Sequence, residues 1–345
     1  ATGTTTTNAS TALAWPDLMR QTSDSGPLMR VAVTGAGGRL GSALVRDLAK
    51  AGFVSQVLPW DLPEHNLDDP TSAHRLMSKY RPDTVIHTAA WTDVNGCAEQ
   101  PLVAMRRNGT AAGEMAEACV GSGAALVLVS TNEVFDGLRK DGKPYLPTDA
   151  THPSNPYGTA KLAGEQAARA AYWATGERFA AAALQAPANR DSTVPALAIV
   201  RTAWLFGLPG ADFPQKVLAA ARQAHDDGTT MKLVSDEIGC PTYASDLSAA
   251  IIQLVRESGR AGGRGLGGIH HVVNSGHASR ADWAREVFRL AQIDIPTEDV
   301  PLSTWPRPST PPSWGVLAPT PLPDGPLRDW RDALAEYFAL LPATR

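Results

Sequence analysis

The sequence predicts an α/β protein: a doubly wound parallel sheet with a second, smaller C-terminal domain. Three observations carry this. From Met29 onward, short apolar β-branched runs alternate with Ala- and Leu-rich stretches. A glycine turn, Gly35-Ala36-Gly37-Gly38-Arg39-Leu40-Gly41, stands between the first such run and the first such stretch. Far downstream, Tyr157 and Lys161 sit at i and i+4, on one face of a helix.

In chain order, the first strand is expected at Arg30–Thr34, followed by the glycine turn and a helix through Leu40–Leu48. A second strand, Gln56–Trp60, ends at Asp61. Thr84–Thr88 and Ala125–Val129 read as buried strands because they are continuously apolar or β-branched. Ala196–Val200 is another, and Ile269–Val273 a last one. Two stretches interrupt the pattern and read as surface loops: 180–195, rich in Ala and Pro, and 259–268, mostly Gly, Ala and Arg. A Pro-rich stretch from Pro301 precedes a helix at Leu327–Leu341. Residues 1–28 carry no core-forming period and are expected to be a disordered N-terminal extension, with a transit peptide as the other reading. The dinucleotide-binding domain of Rossmann type is then 29–203, with segments near 241–255 and 269–273 returning to it. The substrate-binding domain is mainly 204–345.

The 345 residues suffice for one large domain with a smaller partner. A formal net charge of −4 gives no basic footprint for nucleic acid or an anionic membrane. No apolar run reaches the roughly 18 residues of a membrane span. Cys97, Cys119 and Cys240 are scattered and odd in number, so they read as thiols of a cytoplasmic protein with no metal site. His87 and the His270-His271 pair read as structural, since adjacent strand residues face opposite ways.

Gly35, Gly38 and Gly41 let the main chain approach a pyrophosphate, with the following helix N-terminus adding positive potential. Asp61 can accept from adenosine ribose hydroxyls and repels a 2′-phosphate, whereas Arg39 could pair with one. The expected cofactor is therefore NADPH or NADH. Ser130-Thr131 ends a strand, placing the Thr131 hydroxyl at the carboxyl edge of the sheet, where such folds bind ligands. A phenol near pKa 10 needs a nearby cation to reach working range, and Lys161 supplies one for Tyr157.

The chain resembles the extended short-chain dehydrogenases/reductases, and most closely the dTDP-4-dehydrorhamnose reductase family. The resemblance runs from Met29 nearly to the C-terminus, through Val85-Ile86-His87-Thr88-Ala89-Ala90-Trp91-Thr92, Val129-Ser130-Thr131-Asn132-Glu133, Asn155-Pro156-Tyr157-Gly158-Thr159-Ala160-Lys161, Ile199-Val200-Arg201-Thr202-Ala203-Trp204, Gly239-Cys240-Pro241-Thr242 and Arg307-Pro308. It implies catalytic roles for Thr131, Tyr157 and Lys161. It implies cofactor contacts by Gly35, Gly38, Leu40, Asn66, Leu67, Ala89, Ala90 and Lys161, beside Tyr157. Thr92, Val94, Asn132, Trp204 and Arg307 would approach the sugar nucleotide, with Glu133 beside them. The activity implied is NAD(P)H-dependent reduction at C4 of a nucleotide-linked 4-keto-6-deoxy sugar, with dTDP-4-dehydro-L-rhamnose giving dTDP-L-rhamnose. The expected partners are the dTDP-sugar and, in a homodimer, a second copy of the chain. Two related readings stand beside it: a nucleotide-sugar epimerase or dehydratase, and a non-catalytic subunit like the regulatory subunit of methionine adenosyltransferase.

The chain departs from the family pattern in two places. Asn132-Glu133 stands where the family carries Asp-Tyr and the related 4,6-dehydratases carry two acids. Asn132 cannot donate a carboxylic proton, which favours reduction over elimination. Ser309-Thr310-Pro311-Pro312-Ser313-Trp314 replaces a shorter segment expected to line the sugar pocket. Trp204 could pack on the ligand or fill the interdomain core, and Arg201 could equally be a structural ion-pair partner.

Overall fold

The computed structural model describes residues 28–183, 196–260 and 267–341. β1 (Met29–Thr34) is buried from Val31 onward, as a central parallel strand must be. α1 (Arg39–Leu48) buries Leu40, Ala43, Leu44 and Leu48 along one stripe. β2 (Val54–Trp60), α2 (Ser72–Tyr80) and β3 (Thr84–His87) follow. Asp93 caps α3 (Val94–Glu99) by accepting from the Gly96 N–H at 3.0 Å, and α4 (Pro101–Ala104) starts on a proline. A π-helical turn over Met105–Thr110 joins α4 to α5 (Ala111–Ser122). β4 (Ala125–Thr131), α6 (Pro156–Ala183) and β5 (Leu197–Thr202) complete the run of strand and helix units.

The chain then leaves the sheet through β6 (Leu205–Phe206), α7 (Phe213–Asp226), β7 (Met231–Val234), β8 (Ile238–Gly239) and β9 (Thr242–Tyr243). α8 (Ala244–Arg260) and β10 (Gly268–His271) rejoin it. The smaller lobe is finished by β11 (Ala278–Ser279), α9 (Arg280–Ala291), β12 (Thr297–Val300) and α10 (Trp330–Leu340).

Six parallel strands form the main sheet in the order β2-β1-β3-β4-β5-β10. One face packs on α2, α5 and α6 through Leu76, Met77, Met115, Cys119 and Tyr172. The other packs on α1 and α8 through Leu44, Leu48, Leu247, Ile251 and Leu254. The smaller lobe has its own aromatic core of Phe206, Tyr243, Trp283, Trp330 and Tyr337. Strand order reverses between β1 and β3, and the carboxyl ends diverging there leave a crevice.

The histidines expected to be structural are packed in this way. His87 Nδ1 lies 3.0 Å from Thr34 Oγ1, and burial, with the Lys161 charge, lowers its pKa to about 3. His271 Nδ1 lies 3.1 Å from the Tyr145 carbonyl, and its pKa is lowered to about 4, chiefly by burial. All three cysteines are buried thiols.

The expected loops begin later than the sequence suggested. α6 runs to Ala183 and α8 to Arg260, while β10 already starts at Gly268. The alanine-rich end of α6 extends the helix without any apolar period, which is why the pattern gave no sign of it. Residues 184–195 and 261–266, and 1–27 of the expected extension, lie outside the described residues. The last helix begins at Trp330 rather than Leu327 because Asp329 caps it, accepting from the Arg331 N–H at 2.8 Å. No described helix is long and apolar enough to cross a membrane.

Candidate active site

A cleft of about 700 Å³ opens over the carboxyl ends of β1, β3, β4 and β5. Its cofactor end is built by the glycine turn. Gly35 has φ +64°, and a Cβ there would fall 2.9 Å from Ala89 Cα. A Cβ on Gly41 would fall 2.0 Å from the Gly35 carbonyl oxygen, so the turn folds back tightly on the start of α1. Gly38 is the N-cap of α1 and offers no capping side chain, and no acid stands in the helix's first turn. The N-terminus of α1 therefore borders the cleft without a competing anion from α1, a setting that suits a pyrophosphate. The residues present fit a dinucleotide.

Asp61 closes this end, its Oδ2 accepting from the Gly37 N–H and its Oδ1 from the Leu62 N–H at 2.8 Å. The carboxylate thus also braces the glycine turn. Arg39 donates from Nε to the Gly207 carbonyl at 2.6 Å, linking the start of α1 to the smaller lobe. Asn66 and Leu67 line the cleft wall beyond β2, and Ala89 and Ala90 the floor beyond β3.

At the reacting end, Thr131 is the last residue of β4, and its Oγ1 accepts from the Glu133 N–H at 3.2 Å. Tyr157 and Lys161 rise from the first turns of α6. Lys161 is 4% exposed and donates from Nζ to the Val129 carbonyl at 2.7 Å. Burial lowers its pKa to about 8, against the opposing charge of Glu165. Tyr157 is partly open to the cleft, yet burial of its hydroxyl raises its pKa, with the Glu133 charge adding to this and a hydrogen bond with Thr131 opposing it.

Against the expectation that Lys161 brings the phenol toward working range, Tyr157 stands above its ordinary range. Lys161 is turned onto a main-chain carbonyl, and Thr131 is what eases Tyr157 downward. A phenol held above its ordinary range keeps its proton, and a proton donor is what carbonyl reduction needs.

On the substrate side, Thr92, Val94, Asn132, Glu133 and Trp204 also line the cleft. Asn132 is buried, and its amide nitrogen lies 3.4 Å from the Gly315 carbonyl. Trp204 has φ +43° and serves the interlobe core: its ring stacks on Trp283 with centroids 5.6 Å apart. Arg307 does not line the cleft; it pairs with Glu237 at 3.0 Å. The Ser309–Trp314 segment does not line it either, but straps the loop before α6, the Asn155 amide donating to the Thr310 carbonyl at 3.1 Å.

Sequence reasoning missed two residues here. Arg280, the first residue of α9, lines the cleft with its guanidinium 3.6 Å from the Trp204 ring centroid, and it pairs with buried Glu237 at 2.9 Å. Only its charge among the aromatics hinted at this. Asn108, in the π-helical turn, clamps Trp91 from both sides of its peptide, at 2.7 and 2.9 Å, fixing the segment that carries Ala89 to Thr92. A lone Asn in a helical run gives no such signal.

A dinucleotide turn sharing one cleft with a Thr-Tyr-Lys set on this sheet defines an extended short-chain dehydrogenase/reductase. More narrowly, residues 29–342 match the family described as RmlD substrate binding domain, and the chain belongs to it. It is 36% identical over 318 residues to a dTDP-4-dehydrorhamnose reductase of Mycobacterium tuberculosis, covering 90% of this chain and 92% of the relative. A crystal structure of a dTDP-4-dehydrorhamnose reductase from Clostridium acetobutylicum superposes with a TM-score of 0.76 at 29% identity, over 90% of this chain and 99% of that one. Another from Bacillus anthracis, in complex with NADP, gives 0.75 at 25% identity, over 91% and 100%.

Proposed function

We propose that the chain is an NAD(P)H-dependent oxidoreductase that reduces the C4 keto group of a nucleotide-linked 4-keto-6-deoxy sugar. The substrate in this reading is dTDP-4-dehydro-L-rhamnose, the product dTDP-L-rhamnose, and the setting the cytoplasm. The observation that carries it is the single cleft shared by the glycine turn and Thr131, Tyr157 and Lys161. Family membership and the names of the relatives above support the sugar.

Bound NADPH or NADH supplies a hydride to the carbonyl carbon. The Tyr157 phenol and the Thr131 hydroxyl hold the carbonyl oxygen as it gains charge, and Tyr157 gives it a proton. Lys161 has three donors and spends one on Val129, which leaves two for ribose hydroxyls. Arg280 also borders the cleft, where a guanidinium suits the phosphates of a nucleotide sugar. Asn132 supplies an amide rather than an acid, so the turn after β4 lacks the proton donor that elimination of water needs. The partner in assembly is a second copy of the chain, which light scattering on the purified protein tests.

The test follows absorbance of NADPH, then NADH, with dTDP-4-dehydro-L-rhamnose generated in place. Stoichiometric oxidation with formation of dTDP-L-rhamnose is expected. Bound nicotinamide recycled without net oxidation would point to an epimerase or dehydratase instead.

A further inference from the structure

Reduction leaves one acid at the reacting end without a task. Glu133 follows Thr131 by two residues, and its N–H is bound to the Thr131 hydroxyl. Its backbone carbonyl packs on Gly158, the residue after Tyr157, so closely that a Cβ there would fall 2.0 Å away. Glu133 is thereby tied to both groups that grip the carbonyl oxygen. Its carboxylate accepts from the Asn155 amide at 2.6 Å and borders the same cleft. The charged and titratable groups acting on it or feeling it are Glu237 before β8, Arg280 on α9, Arg307 after β12, Tyr157 on α6 and Cys97 on α3. Burial, with the Glu237 charge, raises its pKa, against Asn155 and the two arginines. A carboxylate so placed is a stronger base than an exposed one.

We propose that Glu133 gives this site a second activity on the same ketone: reversible removal of a proton from a carbon α to the carbonyl. The inference rests on the keto-sugar reading of the site. In the step, the C–H bond breaks and its proton passes to the Glu133 carboxylate. The C–H electron pair forms a carbon–carbon double bond, and the carbonyl π pair moves onto oxygen. Donors that stabilise the alkoxide of reduction also stabilise this enolate, since much of its negative charge lies on the same oxygen. The proton on Glu133 exchanges with water, and its return restores the ketone. No oxidant, reductant or leaving group is required. With Asn132 as the neighbouring side chain, the turn offers no second acid to expel a hydroxyl, so the reaction stops at exchange.

The experiment incubates the full chain with the 4-keto sugar nucleotide and NADP⁺ in D₂O, so that no hydride is available, and follows the α-proton resonances by NMR. NADPH oxidation by the same preparation is measured in parallel. Wild type is expected to exchange at least tenfold faster than buffer, and Glu133→Gln to lose at least tenfold of that rate. Glu133→Asp, which keeps the base, is expected to retain part of it. The rise in melting temperature with NADP⁺ verifies that each variant folds and binds nucleotide. Exchange at the buffer rate while NADPH is oxidised overturns the proposal and leaves the reductase standing. Exchange unaltered in Glu133→Gln also overturns it. Neither exchange nor oxidation overturns both readings.

Discussion

Replacing Glu165 with leucine removes one half of an ion pair buried between α6 and β5. Arg201 donates from Nε and Nη2 to the two Glu165 oxygens at 3.0 and 2.7 Å, and the side chains are only 3% and 2% exposed. Ser130 Oγ donates to the same carboxylate, and the guanidinium lies 5.2 Å from the Phe135 ring centroid. Without Glu165 the guanidinium is left charged in the core, which costs about 3–5 kcal/mol. The stranded Ser130 hydroxyl adds about 1 kcal/mol. At roughly 2 °C per kcal/mol for a chain of this size, the melting temperature should fall by about 8–12 °C. The double variant Glu165→Leu/Arg201→Met removes both charges and should recover to within about 2 kcal/mol of wild type. Urea unfolding followed by circular dichroism measures both. A single variant within about 1 kcal/mol of wild type, or a double variant no better than the single, would refute the reasoning.

Tyr157→Phe should lower kcat by about 10²–10⁴-fold, the worth of a positioned proton donor, with cofactor affinity unchanged by fluorescence titration. Near-normal turnover would remove the phenol from the mechanism. Arg280→Ala should raise KM for the sugar nucleotide about tenfold, or about 1.4 kcal/mol, and leave KM for the cofactor alone; equal rises in both would argue for a folding effect. His87 and His271 stay neutral in the fold down to about pH 3 and 4, whereas their unfolded counterparts take a proton near pH 6.5. Above that pH they contribute no pH dependence; below it the unfolded chain binds the extra protons. Stability should therefore fall with pH by about 1.4 kcal/mol per unit for each histidine, over roughly pH 6 to 4.5. Denaturation midpoints at those two pH values for wild type and His87→Asn test this, the variant showing the shallower loss.

The main sheet was legible because buried parallel strands read as unbroken apolar runs, as Val31–Val33 and Leu126–Val129 do. Tyr157 and Lys161 were legible because their relation is local, four residues along one helix. The glycine turn was legible because its chemistry is that of the main chain. What escaped depends on contacts between residues distant in sequence. Glu237 meets Arg280 and Arg307 across 43 and 70 positions, one on each carboxylate oxygen, and no local pattern foretells that the first guanidinium borders the cleft. Spacing pairs Lys161 with the phenol, but its near partner is the Val129 carbonyl, which a sequence cannot display. Asp61 likewise fitted a ribose-binding role, while its bonds to the amides of Gly37 and Leu62 are set by the fold of the turn.

The central claim is hydride delivery to a carbonyl carbon held by Tyr157 and Thr131. It is tested most directly by running the reaction with NADPH deuterated at nicotinamide C4 on the transferring face and examining the sugar product by mass spectrometry and NMR. One deuterium at sugar C4 is expected, and its formation should collapse in Tyr157→Phe. Product without deuterium, or with label at another carbon, would contradict the account.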